Sequence, residues 1–164
     1  MTEQFKIGFI GLGIMGAPMA KNLINAKYEV YVYDIRQESI KNLVESGAIA
    51  TKNSQDLGEK VDVVVIMVQD SANSEEAIIS DNGVLNTLKK GTTIIDMSSI
   101  SPLVSQKISK LCEQKEVDFL DAPVSGGEPM AISGDLAIMV GGKENVFKKF
   151  ESIFDVMGKS KVYC

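Results

Sequence analysis

The sequence predicts an α/β fold of the Rossmann-like, doubly wound type, in which a mainly parallel sheet carries helices on both faces. Three observations lead to this prediction. Strand-like and helix-like segments alternate along all 164 residues and are joined by short connections. The segment Val61–Val68 is almost wholly apolar, as expected for a central parallel strand that is covered on both faces. The first strand-like segment runs directly into a Gly-x-Gly-x-x-Gly turn that opens a helix.

The N-terminal part of the chain is predicted to form two strand–helix units before the central strand. Lys6–Ile10 is the first strand, and Ala17–Ala26 has the apolar spacing of a helix. Glu29–Tyr33 is rich in β-branched and aromatic residues, which predicts a second strand. Gln37–Ser46 follows as a helix, and Gly47 ends it.

The C-terminal part continues the alternation, so we expect one domain over residues 1–164 with its strands in a single sheet. Ser101 can cap a helix, and Pro102 fits the first helical position. Apolar residues recur at helical spacing from Val146 to Met157, which predicts one amphipathic last helix. The predicted strands of this part are Thr92–Met97, Val117–Leu120, Leu136–Val140 and a short final strand that begins at Val162.

Charge and hydropathy argue against nucleic acid and membrane as partners. The net charge is −5 and the sequence pI is about 4.8, whereas a nucleic-acid surface needs a basic stripe. Glycines break the short apolar run Ile7–Ile10, so neither a signal peptide nor a membrane span is predicted. The two cysteines, Cys112 and Cys164, form no disulfide or metal pattern, and we expect a reducing compartment, the cytoplasm, with Cys112 in the core.

Histidine is absent from the sequence, which excludes several classes of catalytic site within this chain. No Ser-His or Cys-His nucleophile pair can form, and no His-based zinc site is available, so we predict no metal site. No tyrosine is followed by lysine at the Tyr-x-x-x-Lys spacing of short-chain dehydrogenases.

The turn after the first strand has the residues that a dinucleotide requires. Gly11 permits the tight turn, Gly13 lets a pyrophosphate approach the backbone, and Gly16 lets the helix pack against the strand. Asp34 ends the second strand, 18 residues after Gly16, where an acid hydrogen-bonds a ribose diol. Because this carboxylate would repel the 2′-phosphate of NADP, the sequence predicts NAD, with NADP as the alternative since Arg36 is close by.

Polar loops at the carboxyl ends of later strands are candidate ligand contacts, because ligands of such sheets bind beyond those ends. These loops are Met67–Asp70, Met97–Ile100 and Ala122–Gly127. The last loop has a Pro, a Ser and two Gly residues, which suits a small carboxylate or hydroxyl group. A plain turn into the next helix explains the same residues, and both interpretations stay open.

Three segments resemble the β-hydroxyacid dehydrogenase family, and the resemblance covers essentially the whole chain. They are Gly8–Leu23 (GFIGLGIMGAPMAKNL), Asp96–Pro102 (DMSSISP) and Asp121–Gly134 (DAPVSGGEPMAISG). Glu128-Pro129 is more typical of the 2-hydroxy-3-oxopropionate (tartronate semialdehyde) reductases than of the 3-hydroxyisobutyrate dehydrogenases. The resemblance implies NAD-dependent reduction of a small semialdehyde, such as 2-hydroxy-3-oxopropionate to glycerate.

The resemblance also implies roles for individual residues. For the cofactor, it implies that Gly13, Ile14 and Met15 contact the pyrophosphate, in the turn between Gly11 and Gly16. It implies that Asp34 contacts the adenosine ribose and that Met67 and Val68 lie beside the cofactor. Ser99, with its neighbour Ser98, is implied near the nicotinamide ribose. Implied substrate contacts are Ser125, Gly126 and Gly127. Gln69 stands where the family usually has Pro, so we expect a less rigid loop there.

One part of the family pattern lies outside this chain. The family's catalytic Lys, with an Asn one helical turn later, belongs to a helix that would begin beyond Cys164, so the resemblance implies no catalytic residue here. The helical C-terminal domain, which completes the substrate cleft and much of a homo-oligomer interface, is absent too. We therefore expect an N-terminal cofactor domain that is inactive alone. Alternatives are a 3-hydroxyisobutyrate dehydrogenase-like enzyme, a 6-phosphogluconate dehydrogenase-like enzyme, which the acidic Glu128 disfavours, or a non-catalytic NAD-binding module.

Overall fold

The main sheet of the protein is parallel and has six strands. The computed structural model describes residues 4–164. The strands are β1 (Lys6–Ile10), β2 (Glu29–Tyr33), β3 (Ile49–Ala50), β4 (Val63–Ile66), β5 (Thr93–Asp96) and β6 (Asp118–Asp121). Their spatial order is β3-β2-β1-β4-β5-β6, and every neighbouring pair is parallel. The connections change direction between β1 and β4, which opens a crevice beyond the carboxyl ends of these strands.

Helices cover both faces of this sheet, as the sequence predicts. They are α1 (Gly16–Asn25), α2 (Gln37–Glu45), α3 (Ser54–Gly58), α4 (Ser71–Ile79), α5 (Pro102–Gln114), α6 (Gly127–Ser133), α7 (Glu144–Lys149) and α8 (Glu151–Met157), with a 3₁₀ turn at Val84–Asn86. One apolar core contains the inner faces of α1, α2 and α8, and the other contains those of α3, α4 and α5. Cys112 lies in the second core, which confirms its prediction as a core residue.

The strand β4 shows why the central run of the sequence is apolar on every residue. All four of its side chains are fully buried. Val63 and Val65 point into the first core, whereas Val64 and Ile66 point into the second. A polar side chain at any of these positions would lose apolar burial worth about 1.5–3 kcal/mol. The predicted strand Val61–Val68 is therefore confirmed in its position, and the observed strand, Val63–Ile66, is shorter.

A second, three-stranded sheet corrects the prediction of a single sheet. It consists of β7 (Val124–Ser125), β8 (Leu136–Val140) and β9 (Gly158–Tyr163), with β8 antiparallel to β7 and parallel to β9. The prediction that Leu136–Val140 joins the main sheet is wrong. Alternate residues of β8 are buried and exposed, so only one face of this strand is covered, unlike β4. Two backbone hydrogen bonds between Asp121 and Gly141 (3.0 and 2.8 Å) join the sheets.

Predicted element bounds agree best where a glycine or a cap marks the end. The bounds of β1 and β2 are confirmed, and Ser101 caps α5 by accepting the Val104 N–H (3.2 Å). The predicted single last helix is wrong, because the chain breaks at Phe150 into α7 and α8. The final strand begins at Gly158, four residues before its predicted start. The strands and α-helices that the sequence did not indicate are β3, α3, α4 and β7.

Candidate cofactor-binding site

A cleft of about 990 Å³ lies beyond the carboxyl ends of β1, β2 and β4, at the change of direction in the sheet. Its volume is at the upper end of the range for small-molecule sites, about 300–1,000 Å³. Of the residues predicted to contact the cofactor, the cleft is lined by Gly11, Gly13, Ile14, Met15, Gly16, Asp34, Met67, Val68 and Ser99. The structure therefore brings segments that are distant in sequence to one cleft.

Gly11 and Gly16 are required by packing within the fold. Gly11 has φ +99°, and a Cβ there would lie 2.0 Å from the Met67 carbonyl oxygen. A Cβ on Gly16 would lie 1.8 Å from the carbonyl oxygen of Gly11. Real Cβ atoms do not approach so closely, so these two glycines let β1, α1 and the end of β4 meet. Their presence is explained without a ligand.

Gly13 has no such packing requirement. A Cβ on Gly13 would meet one atom within 4 Å among the described residues, Nη2 of Arg36 at 3.4 Å. The backbone of Gly13 is not in the left-handed region either. Because Gly13 lines the cleft, a side chain there would project into the space where a ligand would approach the backbone. This glycine is consistent with close approach by a pyrophosphate and is not explained by the fold.

The start of α1 can receive negative charge. Among the described side chains none caps this helix, and its first turn contains no acidic residue. The N-terminal N–H groups and the positive end of the helix dipole therefore face the cleft without a side-chain partner. Ile14 covers the turn with a side chain that is 71% exposed, and Met15 beside it is half-buried. The geometry of this turn fits a phosphate group.

Asp34 is a buried carboxylate at the end of β2. It accepts the backbone N–H of Leu12 (2.7 Å) and that of Arg36 (2.8 Å), and the Arg36 Nε donates to the same carboxylate at 3.1 Å. Burial raises the pKa of Asp34. The hydrogen bonds from the Arg36 side chain and from these N–H groups together lower it by a larger amount, so the net shift is downward. Asp34 is therefore ionised at neutral pH and is held against the glycine turn.

Arg36 lies over this carboxylate at the surface of the cleft. Its side chain is 60% exposed and reaches from Asp34 toward Gly13. An exposed guanidinium is free to reorient when a ligand arrives, whereas Asp34 is fixed by backbone donors. The two residues together present one anion and one cation where a ribose and its 2′ substituent would lie.

The loop after β4 forms the opposite wall of the cleft. The Met67 N–H donates to the Ile10 carbonyl oxygen (2.9 Å), and the Val68 N–H donates to the Ser98 hydroxyl (2.9 Å). Ser99 is exposed and lines the cleft, but Ser98 is fully buried behind the wall. The structure thus places Ser98 under the loop, where it supports Val68.

The segment Ser125–Gly127 does not line this cleft. Its residues are exposed and lead from β7 into α6, with φ +137° at Gly126 and +68° at Gly127. A Cβ on Gly126 would lie 2.7 Å from the Met130 sulfur, so the turn itself requires this glycine. The plain turn into a helix accounts for the local structure, and contact with a substrate stays a prediction.

Some residues around the cleft were missed by sequence reasoning. They are Asn53, Ser54 and Gln55 at the start of α3, and Asn73, Glu76 and Asn82 in and after α4. They were missed because α3 and α4 were not predicted, although the Asn53 and Asp70 caps are recognisable signals. Two further acids, Asp96 and Asp121, are the last residues of β5 and β6.

Two further features are absent from residues 4–164. No cluster of three or more Cys, Asp or Glu side chains there has a geometry that could hold a metal ion. Within the same range, no helix combines the length and the apolar character that crossing a membrane requires.

The sheet order, the glycine turn and the acid at the end of β2 define a dinucleotide-binding domain of the Rossmann type. The sequence matches the model of the NAD binding domain of 6-phosphogluconate dehydrogenase over residues 6–164. The chain therefore belongs to that family of NAD-binding domains, and its relatives include β-hydroxyacid dehydrogenases, as the resemblance implies.

Similar proteins are oxidoreductases and are about twice as long. Mitochondrial 3-hydroxyisobutyrate dehydrogenase of Rattus norvegicus is 42% identical over 164 residues, which are 100% of this chain and 49% of that protein. The 2-hydroxy-3-oxopropionate reductase of Escherichia coli K12 is 43% identical over 155 residues, 94% of this chain and 53% of that protein. The solved structure of Mycobacterium tuberculosis 3-hydroxyisobutyrate dehydrogenase with L-serine has a TM-score of 0.94 at 30% identity, covering 99% of this chain and 55% of that one. This chain thus spans about half the length of these relatives.

Proposed function

We propose that this chain binds NAD in preference to NADP, with Asp34 accepting the hydroxyl groups of the adenosine ribose. The observation that carries the proposal is the fixed, ionised carboxylate of Asp34 beside a glycine turn whose Gly13 has no packing role. A 2′-phosphate would meet this charge at close range in a partly buried site, where repulsion is weakly screened. Arg36 attracts a phosphate, and it reduces this preference without reversing it because it is exposed and paired.

The remaining contacts follow from the shape of the cleft. The N–H groups of Gly13, Ile14 and Met15 receive the pyrophosphate, and the wall at Met67, Val68 and Ser99 lies beside the nicotinamide half. When bound, the cofactor supplies or accepts a hydride at its nicotinamide ring. The apolar side chains of this wall exclude water from the face of the ring. Ser98 supports the wall from behind.

The proposed reaction is the reduction of a small semialdehyde to a β-hydroxyacid. The carbonyl carbon receives the hydride, its oxygen receives a proton, and the reduced cofactor is oxidised, so that 2-hydroxy-3-oxopropionate gives glycerate. The 43% identity to a 2-hydroxy-3-oxopropionate reductase and the Glu128-Pro129 pair support this substrate. Ser125, Gly126 and Gly127 are proposed to hold the substrate carboxylate, and the proton donor is proposed to lie outside these 164 residues. The cytoplasm is the proposed compartment, and a homo-oligomer the proposed assembly.

A titration tests the cofactor proposal. We expect wild-type protein to bind NADH more tightly than NADPH. Asp34→Asn should bind NADH about tenfold more weakly, which corresponds to a loss of about 1.4 kcal/mol in binding free energy. The matched control is Asp62→Asn, because Asp62 also accepts a backbone N–H, that of Lys6 (2.8 Å), but lies at the amino ends of β1 and β4, away from the cleft. If the ratio of NADH affinity to NADPH affinity were the same in wild-type and Asp34→Asn protein, the proposed role of Asp34 would be contradicted.

A substrate comparison tests the reaction. The full-length gene product is assayed with NADH and 2-hydroxy-3-oxopropionate, and in the reverse direction with NAD and 3-hydroxyisobutyrate. A higher kcat/KM for the first pair supports the proposed substrate. A higher value for the second pair favours the alternative that the 42% identity to 3-hydroxyisobutyrate dehydrogenase supports.

A second candidate function is a non-catalytic NAD-binding module. The observation in its favour is that the cleft accounts for cofactor binding, whereas the predicted substrate segment Ser125–Gly127 does not line it. The full-length gene product would then bind NADH and show no turnover with either substrate pair. Turnover by this chain alone would exclude the candidate.

A further inference from the structure

A buried acid outside the cofactor contacts described above lies directly beneath the cleft. Asp96 is the last residue of β5, its side chain is fully buried, and it is in register with Asp121 of β6. A carboxylate in this position is costly, because ionised groups lose their hydration on burial. The packing of the two apolar cores does not require it, since the neighbouring strand positions Ile94 and Ile95 are apolar.

Asp96 is joined to the wall of the cleft by two hydrogen bonds. The backbone N–H of Ser98 donates to Oδ1 of Asp96 (3.0 Å), and the Ser98 hydroxyl accepts the N–H of Val68 (2.9 Å). Val68 lines the cleft, whereas Ser98 and Asp96 lie behind it. Asp96 therefore orients the serine that holds a residue of the cofactor wall.

Val68 is the position at which this support is needed. The pairing of β1 with β4 ends at Ile66, and the Met67 N–H still reaches the Ile10 carbonyl oxygen (2.9 Å). The next N–H, that of Val68, has left the sheet and is taken by the Ser98 hydroxyl. Without that hydroxyl the backbone N–H of Val68 would lose its hydrogen-bond acceptor.

Asp96 also lies near Ser74 of α4. Asp96 Oδ2 and the Ser74 Oγ of α4 are buried, and neither completes a hydrogen bond of standard geometry with a described residue. The neighbours of Ser74 on α4, Asn73 and Glu76, line the cleft. Asp96 therefore lies near a second element that contributes residues to the lining of the cleft.

We propose that Asp96 is a positioning residue for the cofactor, which holds Val68 through Ser98 in the place that the nicotinamide half of the dinucleotide requires. The inference rests on the proposed cofactor site. Asp96 touches neither the cofactor nor the substrate, and it acts through the Ser98 backbone and hydroxyl. Replacing Asp96 is therefore expected to make the cleft wall at Val68 less ordered and to weaken cofactor binding.

The protonation state of Asp96 controls this support. Burial raises its pKa to about 6; the hydrogen bond from Ser98 and the nearby Ser74 hydroxyl oppose this shift, and the charge of Asp121 adds to it. Asp121 is the titratable group that acts on Asp96 from the adjacent strand, and its own pKa is raised by burial, with the Ser105 hydroxyl opposing. A proton on Asp96 weakens its acceptor strength for the Ser98 N–H. The wall is then expected to loosen as the pH falls below about 6.

Two variants and a control test the proposal in the 164-residue chain. Asp96→Asn keeps the size of the side chain and removes its charge, and Ser98→Ala removes the acceptor for Val68. Asp62→Asn is the control, because it alters an acid that accepts a backbone N–H away from the cleft. Hydrogen–deuterium exchange of the Val68 amide reports the order of the wall, and titration with NADH reports cofactor affinity.

The expected result is a parallel effect in both assays. At about pH 8 each cleft variant should raise the Val68 exchange rate and the NADH dissociation constant by about fivefold to tenfold, while Asp62→Asn changes neither. Between about pH 8 and pH 5 the wild-type exchange rate, corrected for intrinsic chemistry, should rise, and that of Asp96→Asn should stay level.

Other results would overturn the proposal or the function on which it rests. Unchanged Val68 exchange in both variants, or increased exchange with unchanged NADH affinity, would show that Asp96 does not position the wall. A loss of affinity that follows general unfolding, seen as increased exchange throughout β4 and β5, would assign Asp96 a structural role only. Wild-type protein that binds no NADH would instead refute the cofactor site, even if Val68 exchange responds as expected.

Discussion

Replacing Gly13 with Ala separates the needs of a ligand from the needs of the fold. The added Cβ would lie 3.4 Å from the mobile end of Arg36 and would meet no other described atom within 4 Å. The substitution should therefore leave the free energy of unfolding unchanged or raise it, since Gly→Ala at a compatible position stabilises by about 0.4–1 kcal/mol. The same methyl group would occupy the cleft where the pyrophosphate approaches the backbone.

The expected loss appears in cofactor binding alone. Forcing a methyl group into a close contact costs about 1–3 kcal/mol, which corresponds to a rise of about fivefold to 150-fold in the NADH dissociation constant. Gly16→Ala is the matched comparison, because its Cβ would lie 1.8 Å from the Gly11 carbonyl oxygen. That variant should lose about 3 kcal/mol or more of folding stability.

Urea denaturation and NADH titration of the three proteins provide the measurement. The reasoning is refuted if Gly13→Ala binds NADH as tightly as wild type does, because the open space at Gly13 would then have no role in binding. It is equally refuted if Gly13→Ala is destabilised as strongly as Gly16→Ala, because a packing requirement at Gly13 would have been overlooked.

Three further predictions concern single side chains. The pKa of Asp96 in the folded protein, about 6, lies above its value in the unfolded chain, so the folded state binds the proton more tightly. The free energy of unfolding of the wild type should therefore fall by about 3 kcal/mol as the pH rises from about 4 to 6. Denaturation across this pH range should show that Asp96→Asn lacks this loss. Arg36→Ala should lower NADPH affinity more than NADH affinity in parallel titrations, because it removes the cation nearest Asp34 and leaves the acid; an equal effect on both cofactors would contradict this. Ser101→Ala should lower the free energy of unfolding by about 1 kcal/mol in urea, because the Val104 N–H loses its cap, and no change would contradict the capping role.

The parallel core of the fold was predictable because its signals are local. β1 and β2 have sharp apolar patterns and end at a glycine turn and at an acid, so their bounds were predicted correctly. The run around β4 is apolar on both faces, which occurs in few contexts other than a central parallel strand.

The second sheet was not predictable in the same way. The pattern of Leu136–Val140 shows that the segment is a strand, but a strand pattern does not reveal its partner. The pairing of β8 with β7 and β9 depends on the path of the chain after Asp121. The break at Phe150 is hidden for a similar reason, since apolar residues keep helical spacing on both sides of it.

The candidate site shows the same division. Glycine spacing and the distance to Asp34 predicted where a dinucleotide would bind, but residue types alone did not distinguish Gly13 from its neighbours. That distinction depends on what a Cβ would meet in three dimensions. Likewise, Ser98 and Ser99 are adjacent and identical in type, and only the structure shows that one supports the wall while the other faces the cleft.

The most direct test of the central claim is a calorimetric titration of the 164-residue chain with NADH and with NADPH. We predict that both heats of binding are measurable and that NADH binds more tightly, by about threefold to tenfold, as a fixed carboxylate at the ribose requires. No binding of either cofactor, or tighter binding of NADPH, would contradict the account of Asp34 and the glycine turn.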